Sequence, residues 1–159
     1  MPKTRPERTR PALEGKTVVA VKKDILISIK QPHMNNIVSR AKNHEFRKYL
    51  IARTVERMWL YVSNPDQTLR YIAVISQGKV PGEIENEEGI GNADFNKAAR
   101  GGLGVASHAY EILHLYKLRL PLKINVLTER YGISPPQRYA YAPKQLLDDI
   151  PLEEQEMLF

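Results

Sequence analysis

The chain has 159 residues, of which 42% are hydrophobic, enough for one domain with a core that needs neither disulfides nor metal. Cysteine is absent, which removes zinc fingers, thiol nucleophiles and disulfide scaffolds, and no apolar run approaches the length of a membrane-spanning helix. The formal net charge is +6, split as +5 over residues 1–23, −4 over residues 144–159 and +5 over the body between them. The body is basic on its own account, and such a domain attracts polyanions by neutralising phosphates and releasing counterions.

Residues 1–16, MPKTRPERTRPALEGK, contain three prolines and few apolar side chains, so they cannot repay the entropy of ordering and are expected to be a disordered basic arm. Lys3, Arg5, Arg8 and Arg10 would serve there as phosphate contacts, as a nuclear-import patch or simply as solvated charge. The N-terminus lacks the apolar middle segment of a secretory signal, and an intracellular location, cytoplasmic or nuclear, is expected. Val18, Val19 and Val21 suggest a short lead-in strand opening a domain over residues 17–143.

Asp24 to Arg47 organises the rest. Ile25, Ile27 and Ile29 alternate as in a strand; the pattern breaks at Gln31-Pro32, and Met34, Ile37 and Val38 follow at helical spacing. Lys42, His44, Glu45, Arg47 and Lys48 then fall within seven residues, a third element with more polar groups than a core accepts unless they are paired. Some of them are therefore expected to face a cleft. On a strand Glu45 and Arg47 share a face, while Lys42 leaves from the other side or from the preceding turn.

The strand ending Ser28-Ile29-Lys30, the short helix, and Lys42, Glu45 and Arg47 in a Lys-x-x-Glu-x-Arg pattern resemble the signature of ASCH domains, members of the PUA-like superfamily of small β-barrels associated with RNA and modified bases. The family usually has Gly two residues before that lysine and often Thr after it, where this chain has Arg40 and Asn43. The resemblance implies an α+β fold, a small PUA-like mixed β-barrel with short helices at its mouth.

Leu50 to Glu56 has no clear period and reads as a connection. Arg57 to Val62 alternates bulky residues, with Trp59 and Tyr61 on one face and Met58, Leu60 and Val62 on the other. Asn64-Pro65-Asp66 marks a turn, and Leu69 to Ser76 is the antiparallel partner strand. Residues 78–104 hold seven of the nine glycines and read as a long loop with one helical turn around Ala93 to Ala99, capped by Asn92 or Asp94. Ser107 to Lys117 resumes alternation, with His108, Tyr110, Ile112, His114 and Tyr116 on one face. A last helix over Lys123 to Tyr131 stops at Gly132. Pro135-Pro136-Gln137 after that helix is again similar to ASCH proteins, so the resemblance covers about residues 24–142. Residues 144–159 form an acidic C-terminal helix or tail.

The resemblance places a ligand cleft beside Lys42, Glu45, Arg47 and Lys48. Lys30, Gln31 and His33 join it at a helix N-terminus, where free backbone N–H groups attract anions; Gln137 and Tyr139 come from the late segment. A guanidinium and an ammonium beside a carboxylate would hold a phosphate or a base edge. Tyr110, Tyr139 and Tyr141 are candidates to stack on bases. The chain is accordingly expected to be a monomeric nucleic-acid-binding module for single-stranded RNA or a modified nucleotide. The alternative is a hydrolase. Some ASCH-like proteins resemble amidohydrolases that deacylate 4-acetylcytidine with a lysine at the place of Lys42, a threonine nucleophile three residues later and a distant glutamate. Glu45 occupies that threonine position and would act as general base toward water, with Lys42 as its electrostatic partner. A ribonuclease would draw its acid–base pair from His33, His44 and Lys42. A third reading has the LEEQEMLF tail dock a partner.

No metal or other cofactor is expected. His108 and His114 are six residues apart on a presumed strand, roughly 20 Å, too far to share an ion. The sequence has no Walker loop, dinucleotide fingerprint or Gly-x-Ser-x-Gly elbow.

Overall fold

The computed structural model describes residues 22–98 and 106–159. The arm, the Val18–Val21 strand and residues 99–105 of the glycine-rich loop lie outside the described residues. In chain order come β1 (Asp24–Ile29), α1 (Gln31–Val38), β2 (His44–Arg47), β3 (Arg57–Val62), β4 (Thr68–Ile75), α2 (Asn92–Lys97), β5 (His108–Lys123), α3 (Ile124–Tyr131), β6 (Ala140–Tyr141), α4 (Lys144–Asp149), a 3-10 turn (Leu152–Glu154) and β7 (Glu156–Met157). The seven strands make one mixed sheet in the order β2-β5-β4-β3-β1-β6, with β7 on β5. The sheet curls into a half-barrel with short helices. Only β1 and β3 run parallel, which the crossover through α1 and β2 permits.

Alternation explains why both faces of the middle strands are dry. Ile25, Ile27 and Ile29 join Met58, Leu60 and Val62 and the α1 residues Met34 and Ile37 in one cluster. Leu26, Trp59, Tyr61, Leu69 and Ile72 form a second cluster with Leu127 of α3 and Leu146 of α4. The β3 faces are thus as the sequence predicts. Trp59 Nε1 donates to Asp24 Oδ2 at 2.7 Å, and Arg57 grips the same carboxylate through Nε and Nη2. That carboxylate is buried but has three donors, as a buried charge requires.

Three expectations are corrected. The cap of α2 is Gly91 at φ 84°, a left-handed conformation that suits glycine, and no side chain caps the helix. Asn92 is instead buried and donates to Asn43 Oδ1 and to the Asn86 carbonyl, pinning the loop to β2. The strand at 108 runs on to Lys123, and its register slips against β4 between Val74 and Ile75. A bulge there turns the period, so Leu115, not His114, follows Tyr110 and Ile112 into the core. Tyr110 is fully buried; its hydroxyl accepts from the Ile51 N–H at 2.6 Å and donates to the Tyr49 carbonyl at 3.2 Å, so it offers no stacking surface.

The helix α3 ends at Gly132 with φ 67°, in the left-handed stop expected of it. The C-terminal segment folds against the same sheet: Leu158 donates to the Leu115 carbonyl, Leu115 donates to that of Phe159, and both end residues pack on the first core cluster. No helix among the described residues is long and apolar enough to cross a membrane.

Candidate nucleic-acid interface

The end of β1, the first turn of α1, the face of β2 and the loop before β6 enclose a cavity of about 650 Å³. Ser28, Lys30, His33, Lys42, Glu45, Arg47, Lys48, Tyr49, Gln137 and Arg138 contribute to its lining. Glu45 is the carboxylate among them. Oε1 accepts from Lys42 Nζ at 3.1 Å and from the Phe46 N–H at 3.2 Å, while Oε2 accepts from Arg47 Nη2 at 3.3 Å. Lys42 comes from the turn before β2 and reaches the same carboxylate as Arg47, so the three charges of the motif form one buried network. Side-chain exposure is 6% for both Lys42 and Glu45, and 19% for Arg47. Pairing makes this burial tolerable.

Arg47 also ties β2 to β1, donating from Nη2 to the Ser28 carbonyl at 2.8 Å. Its Nε is buried and has no hydrogen-bond partner among the described residues. The far wall hangs on two side-chain bonds: Ser28 Oγ donates to the Pro136 carbonyl at 2.7 Å and Tyr49 Oη to that of Arg138 at 2.8 Å. The Arg138 guanidinium lies 4.4 Å from the centroid of the Tyr49 ring. Burial raises the phenol pKa of Tyr49 against the opposing pull of Arg47 and Arg138. One carboxylate is matched by Lys42 and Arg47, and among the described residues the cations Lys30, Lys48 and Arg138 around the cavity have no ion-pair partner.

The fold therefore gathers Lys30, His33, Lys42, Glu45, Arg47, Lys48 and Gln137 around one space. It leaves out Gln31, whose amide is exposed and bonded to Asn35, and Tyr139, which packs between Tyr49 and Tyr141. His44 does not line the cavity either. Its Nδ1–H donates to Asn43 Oδ1 and its Nε2 accepts from Lys79, the pattern of a neutral imidazole. Burial, helped by Lys79, lowers its pKa to about 4, so an acid–base role at that ring has no support here. Sequence reasoning missed Tyr49 and Arg138. Parity offered the first, since residues 45, 47 and 49 point to one side of an extended chain; adjacency to Gln137 was the only sign of the second.

Among the described residues no group of three or more His, Asp or Glu side chains is arranged to hold a metal ion. The structure is a curled α+β half-barrel with a cavity lined by several cations and one sequestered carboxylate. Its fold is that of the ASCH domain. The ASCH protein of Zymomonas mobilis superposes with a TM-score of 0.55 at 22% identity, over 85% of this chain and 97% of that one. Two single-residue variants of that protein match with TM-scores of 0.57 and 0.56 at 17% and 20% identity, over 84% and 82% of this chain and 99% and 96% of theirs. No family model and no curated protein matches the sequence.

Proposed function

We propose that this chain binds RNA, or a nucleotide excised or flipped from it, in the cavity between β1, β2 and the 134–138 loop. The observation that carries this reading is the cationic surplus of the cavity: Glu45 is matched by Lys42 and Arg47, which leaves Lys30, Lys48 and Arg138 to meet phosphate. The free side of Glu45 Oε2 can accept from a base amino group, and the unmatched Arg47 Nε–H can donate to a base or sugar oxygen. Membership of the PUA-like superfamily, an intracellular setting and a monomeric state accord with this reading. Residues 1–16 would add phosphate contacts to a domain that starts near residue 17.

The test is fluorescence anisotropy with short single-stranded RNAs. Lys30→Ala and Arg138→Ala remove exposed cations, so each should weaken every RNA about equally and lower the salt slope by roughly one; Lys30→Ala should leave the melting temperature unchanged, and Arg138→Ala should lower it only by the loss of its contact with the Tyr49 ring. Unchanged binding in both variants would remove the reading.

A hydrolytic reading rests on a different observation, the burial of Lys42 and Glu45 together at the base of the cavity, where electrostatic groups act most strongly. Release of acetate from acetylated cytidine, measured directly, would establish it.

A further inference from the structure

The aromatic rings beside the cavity form a continuous series. Tyr49, on the cavity wall, has its ring centroid 5.6 Å from that of Tyr139. Tyr139 meets Tyr141 edge-on at 6.1 Å. Lys22 then places its ammonium 5.0 Å from the centroid of Tyr141. At the cavity end the series begins with Arg138 on Tyr49, so it is cationic at both ends. Tyr139 and Tyr141 stand two residues apart on and beside β6, an edge strand, and hence on one side of it. Tyr139 is half-buried and Tyr141 is 38% exposed.

The series ends at a second, smaller hollow of about 300 Å³, where Lys22, Lys23 and Lys144 stand around the N-terminal end of β1. The acidic groups nearby are engaged: Asp24 by Arg57 and Trp59, Glu56 by Lys23, and Asp148 by Lys144. Aromatic rings in edge and tilted contact along a sheet edge, the outermost one exposed, flanked by ammonium and guanidinium groups and leading away from a cavity, fit a polyanion that carries flat apolar units.

Resting on the reading of the cavity given above, we infer that the Tyr139–Tyr141 edge and Lys22 bind the continuation of a single nucleic-acid strand whose terminal or flipped nucleotide occupies the cavity. The ligand would then be an oligonucleotide of about four or more nucleotides, the lower end of single-strand site sizes, and not a free nucleotide. Aromatic stacking is tolerant of sequence, so this edge supplies affinity while the cavity supplies choice.

The experiment compares uridine 5′-monophosphate with a uridine hexamer by calorimetry on the full chain and on its Tyr141→Ala and Lys22→Ala variants. The wild-type chain should bind the hexamer at least tenfold more tightly than the monophosphate. Tyr141→Ala should remove about tenfold of hexamer affinity, in line with stacking on one ring, and leave the monophosphate unchanged. Lys22→Ala should reduce the salt dependence of hexamer binding alone. Equal affinity for the two ligands, or equal losses of both in Tyr141→Ala, would overturn the track while leaving the cavity reading in place. Absence of binding of both ligands would overturn both.

Discussion

Arg40 holds a left-handed backbone conformation, φ 68°, and lays its guanidinium 4.5 Å from the ring centroid of Phe159. The turn between α1 and β2 takes that conformation on the way to Lys42, and it is one that favours glycine over any residue with a side chain. A side chain there costs about 1–2 kcal/mol, and contact with the aromatic ring returns about 0.5–1 kcal/mol. Arg40→Ala keeps the strain and loses the contact, so it should lower the melting temperature; Arg40→Gly loses the contact but relieves the strain and should lie closer to wild type. Thermal unfolding of the pair decides, and the reverse order would contradict this account.

Glu45 is expected to act first on stability. Glu45→Gln leaves Lys42 buried without its counter-charge, and removing one member of such a pair costs about 3–5 kcal/mol. Replacing both, as Lys42→Met with Glu45→Gln, should cost less than the sum of the single changes. Urea unfolding of the four chains of this cycle measures the coupling.

Trp59 is 2% exposed and hydrogen-bonded to Asp24, so Trp59→Ala should cost about 3–5 kcal/mol, and Trp59→Phe, which keeps the ring bulk and loses the hydrogen bond, about 1–2 kcal/mol. A Trp59→Ala chain of normal stability that no longer bound RNA would instead make the ring a stacking platform.

His44 makes the fold sensitive to acid. Its pKa falls from 6.5 to about 4 on folding, so the unfolded chain takes up a proton that the folded chain refuses. Stability is full above pH 6.5 and is lost as pH falls toward 4, by up to about 1.4 kcal/mol per unit. Lys79 holds the Glu111 carboxyl below its ordinary range, and loss of that contribution begins only lower, beneath about 4.5. In His44→Asn the slope between pH 6.5 and 4.5 should flatten, as read from denaturation midpoints across that range.

Removal of residues 1–16 should leave the melting temperature unchanged and reduce both RNA affinity and its salt slope, because the segment carries charge without core. Equal slopes for the two forms would show that the segment does not touch phosphate.

Strong periodicity made β1, α1, the β3–β4 hairpin and the stop of α3 readable from sequence, and the three charges of the motif lie together on one wall of the cavity. The rest depends on contacts distant in sequence. The bulge opposite Val74 and Ile75 reverses the parity of β5, which no local alternation can announce, and so the buried Tyr110 resembled an exposed ring. The alternation read from sequence stops at Lys117, yet β5 continues through Pro121 to Lys123. Arg138 sits in a loop whose place is fixed by Ser28 and Tyr49, residues about ninety or more positions away.

The flanks of the sheet bear on how copies of this chain would treat one another. Both covering strands, β6 on β1 and β7 on β5, are two residues long, and each pairs over only two positions. Rows of amide and carbonyl groups beside them are therefore shielded by very little backbone, and an edge laid bare is a template for another strand. If Tyr141 or Met157 became a proline, the edge would lose part of that cover. Self-association through the bared strand, with the interior still folded, is the expected form of failure.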